Sequence, residues 1–333
     1  MLLRSHIITC IVIFGITCSL VSCKGDADSK KPTAKVSDTP VDTKPKWVIP
    51  DTTELANIID GELIKYGREL IVNTSVYFGP KGIVAHKSNG LNCQNCHLGA
   101  GTRLFGNNFS LVATSYPKFK ERSGTVETIE KKVQDCFERS LNGKTIDTGS
   151  RELKAFVAYL KWVGKNVTKG TRPKGSGIEE LPFLNRAADP SLGKVVYEKK
   201  CVTCHRQDGA GMLNAQGTAY AYPALWGPQS YNVGASLFRI SKMAGFVKNN
   251  MPFGTNHLKG QQLSNEEAWD VAAFINSQPR PYKNTKMDWP DLATKPYDHP
   301  FGPFRDSLFN QAQHKYGPYG PIKHHYKMLA KRK

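Results

Sequence analysis

Two short runs of the sequence share a spacing of cysteine and histidine that is typical of covalent haem attachment. Residues 93–97 read CQNCH and residues 201–205 read CVTCH. Two cysteines three positions apart lie on one helical turn, so both sulfurs can form thioethers to the vinyl groups of one porphyrin. The histidine that follows can ligate the iron from one side. The runs predict two covalently bound haem c, with proximal ligands His97 and His205 and attachment cysteines Cys93, Cys96, Cys201 and Cys204.

The C-x-x-C spacing alone also fits a zinc site or a redox dithiol. A histidine directly after the second cysteine in both copies favours haem. Of the eight cysteines, three lie within the first 23 residues and four belong to the haem runs, which leaves Cys136 without a partner for an intramolecular disulfide. An unpaired cysteine in an oxidising compartment needs an explanation of its own.

An internal repeat suggests the role of Cys136. Cys136 precedes Tyr159 by 23 residues, and Met251 precedes Phe274 by the same 23. Each half therefore has the order helix, haem run, candidate distal ligand, helix. We predict Met251 and Cys136 as the distal iron ligands, with Met212 and Met243 as competitors of Met251. A thioether raises the haem potential and a thiolate lowers it. The alternative for Cys136 is a small buried hydrophobe on a helix face.

Basic residues surround Cys136 in the sequence, and they would favour its thiolate form. Arg122 is the predicted anion clamp, because a guanidinium meets an oxyanion with two donors. Ser140, one helical turn beyond Cys136, could donate to the same oxyanion. The alternatives are a solvated helix face for the cations and a backbone-capping role for Ser140. The basic residues are Lys118, Lys120, Arg122, Lys131, Lys132 and Arg139.

Apolar periodicity predicts a mainly α chain that is rich in loops. The order of helix, haem run, candidate distal ligand and helix in each half resembles the class I cytochrome c fold, which implies two tandem domains of that kind. Helices are predicted over residues 55–70, 125–141 and 193–200, with further helices that begin at Ser150 and Ser264. The predicted domains are 51–170, around the first haem run, and 178–282, around the second. A linker at 171–177 joins them, and residues 283–333 form an extended C-terminal strap.

The N-terminal segment has the features of an export signal. Residues 1–22 combine Arg4 with a short apolar run, which predicts a signal peptide. Residues 20–23 (LVSC) resemble a bacterial lipobox, so we predict lipidation of Cys23 and a disordered tether over 23–50. Ordinary cleavage nearby is the alternative. The predicted location is the periplasm or cell envelope, with membrane contact only through the lipid anchor.

The chain carries a formal net charge of +18, which attracts anions and acidic partners. Nucleic acid is not the expected partner, because no helix-turn-helix, zinc-finger or RNA-binding signature is present. An external electron acceptor, a cytochrome c, is expected instead.

The sequence resembles the dihaem thiosulfate dehydrogenases, a family that also includes tetrathionate reductases. The segments that carry the resemblance are 92–98 (NCQNCHL), 135–143 (DCFERSLNG), 250–252 (NMP) and 313–318 (QHKYGP). The resemblance implies His97 and Cys136 ligation at an active-site haem, and His205 and Met251 ligation at an electron-exit haem. Some members place a lysine beside the methionine for ligand switching. Asn250 stands there in this chain, so the switch is not carried over.

The implied reaction couples two thiosulfates through their outer sulfurs into tetrathionate, with two electrons passed to the haems. Bringing two dianions together costs on the order of 10 kcal/mol at an intermediate dielectric, which a basic site offsets. We hypothesise a covalent route in which the Cys136 sulfur bonds the outer sulfur of one thiosulfate before the second attacks. The rival functions are tetrathionate reduction at the same site, a non-catalytic dihaem electron carrier, and a dihaem peroxidase.

Overall fold

Helices form most of the regular structure in a computed structural model that describes residues 47–254 and 262–331. In chain order the α-helices α1–α12 are Gly61–Val72, Thr74–Phe78, Leu98–Gly101, Val112–Ser115, Ile129–Arg139, Arg151–Val163, Pro190–Lys200, Val202–His205, Ile240–Asn250, Asn265–Ser277, Gln311–Tyr316 and Tyr319–Lys331. The 3-10 helices are Thr52–Asn57, Cys93–Asn95, Ser236–Phe238 and Leu292–Thr294. Strands β1 (Lys118–Lys120) and β2 (Thr125–Glu127) pair antiparallel, as do β3 (Met212–Leu213) and β4 (Tyr220–Tyr222).

The first lobe is built on a close crossing of α1 and α6. Gly67 of α1 lies at the contact, where a Cβ would come within 2.0 Å of the Ala155 carbonyl oxygen and 2.7 Å of the Tyr159 Cβ. Only glycine lets the two backbones approach this closely. Leu70, Phe137 and Phe156 are fully buried in the adjoining core.

The second lobe repeats this arrangement, with α7 and α9 packed on α10. A Cβ on Gly193 of α7 would lie 1.9 Å from the Asp270 carbonyl oxygen and 2.9 Å from the Phe274 Cβ. Tyr159 and Phe274 are the residues that stand 23 positions after Cys136 and Met251. The predicted repeat is therefore confirmed at the helix crossings.

Local sequence signals place several helix ends correctly. The Ser150 hydroxyl accepts from the Leu153 N–H at 3.2 Å, and Ser264 forms a capping box with Glu267. Two predicted helices were too long. The segment 55–70 breaks into a 3-10 turn and α1. Residues 125–127 of the predicted 125–141 helix form β2, because Thr125, Val126 and Glu127 pair with β1.

The termini of the described region correct two further predictions. The predicted tether over 23–50 ends too late, because Trp47 is buried in the core of the first lobe. The predicted extended strap is irregular after residue 282 but ends in α11 and α12. Tyr319, Ile322 and Tyr326 recur at helical spacing, so they bury one face of α12 on the second lobe.

None of the helices in the described residues combines the length and apolar character needed to cross a membrane. The predicted signal peptide and Cys23 lie outside the described residues.

Candidate functional site

His97, Cys96, Cys136 and Ser140 line one cavity of about 280 Å³. The predicted proximal ligand and the predicted distal ligand of the first haem thus face the same space, although 39 residues separate them in the sequence. Ser140 lies where the helical spacing predicted it, on the same side of α5 as Cys136. The structure brings these four residues together, as the sequence reasoning expected.

One ring nitrogen of His97 is committed to the backbone. Its Nδ1 lies 2.5 Å from the Asn107 carbonyl oxygen, and the ring packs 4.4 Å from the Phe109 ring between centroids. Burial lowers the pKa of His97 to about 4, so the ring is neutral at neutral pH. A neutral imidazole oriented through Nδ1 leaves Nε2 for an iron, as in most histidine-ligated metal sites.

Helix α5 positions Cys136 through contacts at both of its ends. At the start, the Thr128 hydroxyl accepts from the Lys131 N–H at 3.3 Å. At the other end, Arg139 forms two hydrogen bonds of 2.7 Å to Asp288, and Asn232 donates to the Glu138 carbonyl oxygen at 2.8 Å. Residues from the second lobe and from the C-terminal segment therefore hold the end of the helix that carries Cys136.

Three of the cysteines in the haem runs lie in surroundings that oppose a thiolate. Burial raises the pKa of Cys93, Cys96 and Cys201 to about 12, whereas reactive or metal-binding cysteines need a low pKa. Within residues 47–254 and 262–331, no group of three or more His, Cys, Asp or Glu side chains could hold a metal ion. A thioether-bound haem requires neither feature, since its iron takes two axial side chains.

The second predicted haem site has the same histidine arrangement in a more apolar setting. His205 Nδ1 lies 2.9 Å from the Pro223 carbonyl oxygen, which again leaves Nε2 as the available nitrogen. Burial lowers the pKa of His205. Met251 follows the last residue of α9 and packs against the second core, and Met243 is 3% exposed within that core. Met243 thus packs as expected of a core residue rather than a ligand.

Asn250 does not resemble a switching ligand. Its side chain is fully buried and donates to the Phe105 carbonyl oxygen at 3.1 Å and to the Phe246 carbonyl oxygen at 2.8 Å. Those bonds fix the residue next to Met251 in one position.

Arg122 donates to Asp135 at 2.7 Å, and it lines a neighbouring cavity of about 180 Å³ that shares residues with the Cys136 cavity. It is not part of the lining of the Cys136 cavity itself, so its role as an anion clamp stays a prediction. Arg139 is likewise committed to Asp288.

The cations that line the Cys136 cavity come largely from outside the neighbouring sequence. They are Lys132, Arg172, Arg239 and Lys242. Sequence reasoning found Lys132 but missed the other three, since they lie 36 to 106 residues away from Cys136. No local motif marks them, and the fold brings Arg172 from the 171–177 segment, and Arg239 and Lys242 from the second lobe, to the cavity.

Comparison with known proteins supports this assignment of the two halves. Residues 84–168 match the model of the SoxA/TsdA cytochrome c domain, and residues 190–279 match the cytochrome c model. The chain is mainly helical with two tandem cytochrome c domains, and it binds two covalently attached haem c.

Comparison with individual relatives indicates the family. The thiosulfate dehydrogenase of Psychrobacter arcticus is 35% identical over 74% of this chain and 73% of its own length. That of Allochromatium vinosum is 39% identical over 66% and 79%. The solved thiosulfate dehydrogenase (TsdBA) of Marichromatium purpuratum, in its "as isolated" form, superposes with a TM-score of 0.64 at 30% identity. The match covers 71% of this chain but only 50% of that longer one. With this identity over most of both sequences, the chain belongs to the thiosulfate dehydrogenase family.

Proposed function

We propose that this protein is a thiosulfate dehydrogenase, an oxidoreductase that couples two thiosulfates into tetrathionate at the cavity between His97 and Cys136. The observation that carries the proposal is the shared cavity of a predicted haem ligand pair and four cationic side chains. The relatives that bear this name support it. An electron carrier has no need of a basic cavity at its first haem.

The cationic lining answers the main physical difficulty of the reaction. Two thiosulfate dianions repel each other on the order of 10 kcal/mol at an intermediate dielectric. Lys132 forms no ion pair among the described residues, and Lys242 meets only the exposed Glu180 at 3.5 Å. Their charges are available to offset the repulsion. When bound, the two haems supply two one-electron acceptors, which matches the two electrons released.

Cys136 is the proposed catalytic residue. Its thiolate sulfur forms a bond to the outer sulfur of one thiosulfate, and the pair gives up two electrons. The outer sulfur of a second thiosulfate then attacks the outer sulfur of this adduct, which breaks its bond to Cys136. Tetrathionate leaves and the Cys136 thiolate is restored, so that atoms and charge balance. Ser140 lines the same cavity, so its hydroxyl would donate to the oxyanion of the bound thiosulfate.

The partner and the location are part of the same proposal. An external cytochrome c that presents acidic residues would accept the electrons, because the chain has a net charge of +18. Export by the segment 1–22 and lipidation of Cys23 would place the enzyme at the periplasmic surface of a membrane.

The test is thiosulfate-dependent reduction of ferricyanide by the haem-loaded protein, with tetrathionate measured as product. Wild type should form tetrathionate and Cys136→Ala should not. Glu130→Gln, on the exposed side of the same helix, is the matched control and should behave as wild type. Mass spectrometry after thiosulfate treatment should find an added S₂O₃ group on Cys136.

Other outcomes would redirect the assignment. If the wild type forms no tetrathionate although its haems reduce and reoxidise, the protein is an electron carrier. A turnover faster with tetrathionate and a reduced dye than with thiosulfate would make it a reductase. Peroxide-dependent turnover would point to the peroxidase alternative.

A further inference from the structure

Arg239 stands where two cavities meet. It caps the start of α9 in the second lobe, yet it lines both the Cys136 cavity and the neighbouring cavity of about 180 Å³. Lys132, Ala235 and Ser236 are the other residues that the two linings share. Among these, only Arg239 has a guanidinium group, whose paired donors can bind two oxygens of one oxyanion.

The C-terminal segment holds Arg239 in place through Asp298. Arg239 donates to Asp298 Oδ1 from Nε at 2.8 Å and also from Nη2. The Asp298 side chain is completely buried, and the Ser241 hydroxyl donates to its other oxygen. Two donors of one guanidinium on one carboxylate fix the rotamer of Arg239. Its Nη1 makes no hydrogen bond within the described residues, so this nitrogen remains for a ligand.

The loop that carries Asp298 is itself anchored. Lys295 donates from Nζ to the carbonyl oxygens of Phe301 and Pro303, both at 2.7 Å. The carbonyl oxygen of Tyr297 lies 2.8 Å from Nδ1 of the fully buried His314. Asp298 therefore sits in a loop with little freedom to move away from Arg239.

The other cations of the Cys136 cavity are held less firmly. Arg172 donates to the Ser176 carbonyl oxygen at 3.2 Å. Lys242 lies 3.5 Å from Glu180, whose side chain is 78% exposed, and Lys132 has no ion-pair partner in the described part of the chain. Flexible ammonium groups contribute charge but not a fixed donor direction. Arg239 can offer a hydrogen-bond donor in a fixed direction, because Asp298 holds its side chain before a ligand binds.

We propose that Arg239 is a substrate-binding residue that the second lobe supplies to the Cys136 cavity, and that Asp298 is the positioning residue that aims it. The ligand group is the sulfonate of thiosulfate or tetrathionate, held by the free edge of the guanidinium. This inference rests on the proposed function of the site. It assigns a role to the C-terminal segment, which otherwise contributes no predicted haem ligand.

The first experiment compares Arg239→Gln, Arg239→Lys and wild type in the thiosulfate assay. Loss of a charge-assisted hydrogen bond should raise KM for thiosulfate about 10- to 100-fold, with kcat changed much less. Arg239→Lys should retain part of the affinity, because lysine keeps the positive charge but lacks the paired donors of the guanidinium. Arg186→Gln is the matched control. Arg186 also forms two 2.8 Å bonds to a buried aspartate, Asp270, but lines neither cavity.

A second measurement does not depend on turnover. Calorimetric titration of the fully oxidised haem protein with tetrathionate should show binding that is weakened to the same extent in Arg239→Gln and unchanged in Arg186→Gln. Asp298→Asn should give a smaller KM increase than Arg239→Gln. Should that variant fail to fold, Ser241→Ala removes one bond to Asp298 and should raise KM slightly.

The two proposals fail in different ways. If wild type neither turns over thiosulfate nor binds tetrathionate, the proposed function is wrong. If wild type does both and Arg239→Gln matches Arg186→Gln in KM and in tetrathionate affinity, the inference about Arg239 is wrong while the function stands. A fall in kcat at unchanged KM and unchanged tetrathionate affinity would also overturn the binding role.

Discussion

Cys136 and Met251 occupy equivalent places in the two lobes, yet their surroundings differ in polarity and in access. Cys136 lies within α5, three residues before its end, and faces a cavity lined by four cations. Met251 follows the end of α9 with extended backbone angles and packs against apolar residues of the second core. Lys248, the nearest cation in sequence, donates to the Leu263 carbonyl oxygen instead.

The two lobes share a helix crossing but differ around their predicted distal ligands. The crossing at Gly67 is matched at Gly193, so the same pair of packed helices supports each predicted haem site. The change lies in what covers the distal side. In the first lobe, residues of the 171–177 segment and of the second lobe complete a basic cavity there, whereas Met251 packs against apolar residues of the second core.

The strongest test of this comparison is to give the first site the ligand of the second. Cys136→Met should place a thioether ligand in the same cavity but should lower thiosulfate turnover on the order of 10³-fold or more, because the proposed nucleophile is lost. Tetrathionate formation and the haem absorption spectrum would be measured together. Activity within tenfold of wild type would show that the cavity, rather than the thiolate, performs the chemistry.

Removing the ligand of the second site should have a different effect. Met251→Ala should lower the potential of the second haem on the order of 0.2 V, a fraction of the about 0.8 V that axial ligands span. Redox titration would measure this shift, and Met243→Leu in the core would be the control. The formation of a thiosulfate adduct on Cys136 should persist. An unchanged potential would contradict the prediction that Met251 is the ligand.

The shared helix crossing predicts matched losses of stability. Gly67→Ala and Gly193→Ala each force a Cβ against a carbonyl oxygen at about 2 Å, so each should lower the free energy of unfolding by about 1–3 kcal/mol. Urea denaturation of the haem-loaded protein would measure both. Gly320→Ala, where a Cβ meets no atom within 4 Å, is the control. A large loss at only one crossing would mean that the lobes are less alike than their backbones indicate.

The smallest expected effect concerns salt. Raising NaCl from 0.05 to 0.5 M should raise KM for thiosulfate by roughly threefold, because screening weakens the attraction between the anion and the cationic lining. The midpoint potential of the second haem should change little under the same conditions, because its predicted ligand Met251 packs against an apolar core. A KM independent of salt would argue against an electrostatic role for the lining.

Much of the fold followed from short-range signals. The haem runs, the caps at Ser150 and Ser264, and the 23-residue offset between ligand and terminal helix are all visible in sequence. The cavity shared by His97 and Cys136 was predicted through that repeat. The helix prediction failed at residues 125–127, which form β2 because they pair with residues 118–120.

The cationic lining of the cavity was not predictable in the same way. Arg122 is close to Cys136 in sequence but pairs with Asp135, while Arg239 is remote and lines the cavity. Both guanidinium groups pair with a carboxylate, and only the fold decides which of them also lines the Cys136 cavity. The helix at residues 319–331 could have been predicted from the spacing of Tyr319, Ile322 and Tyr326, but the surrounding Pro- and Tyr-rich segment suggested an extended strap.

The contact between Asp298 and Arg239 has a consequence for the order in which the molecule matures. Ribosomes deliver the chain from its N-terminus, so both haem runs and Cys136 exist before residue 298 is made. The Arg239 guanidinium gains its partner only when the C-terminal segment has been synthesised and has docked. A chain truncated before residue 298 can therefore present both haem runs and Cys136 while it lacks the carboxylate that holds Arg239.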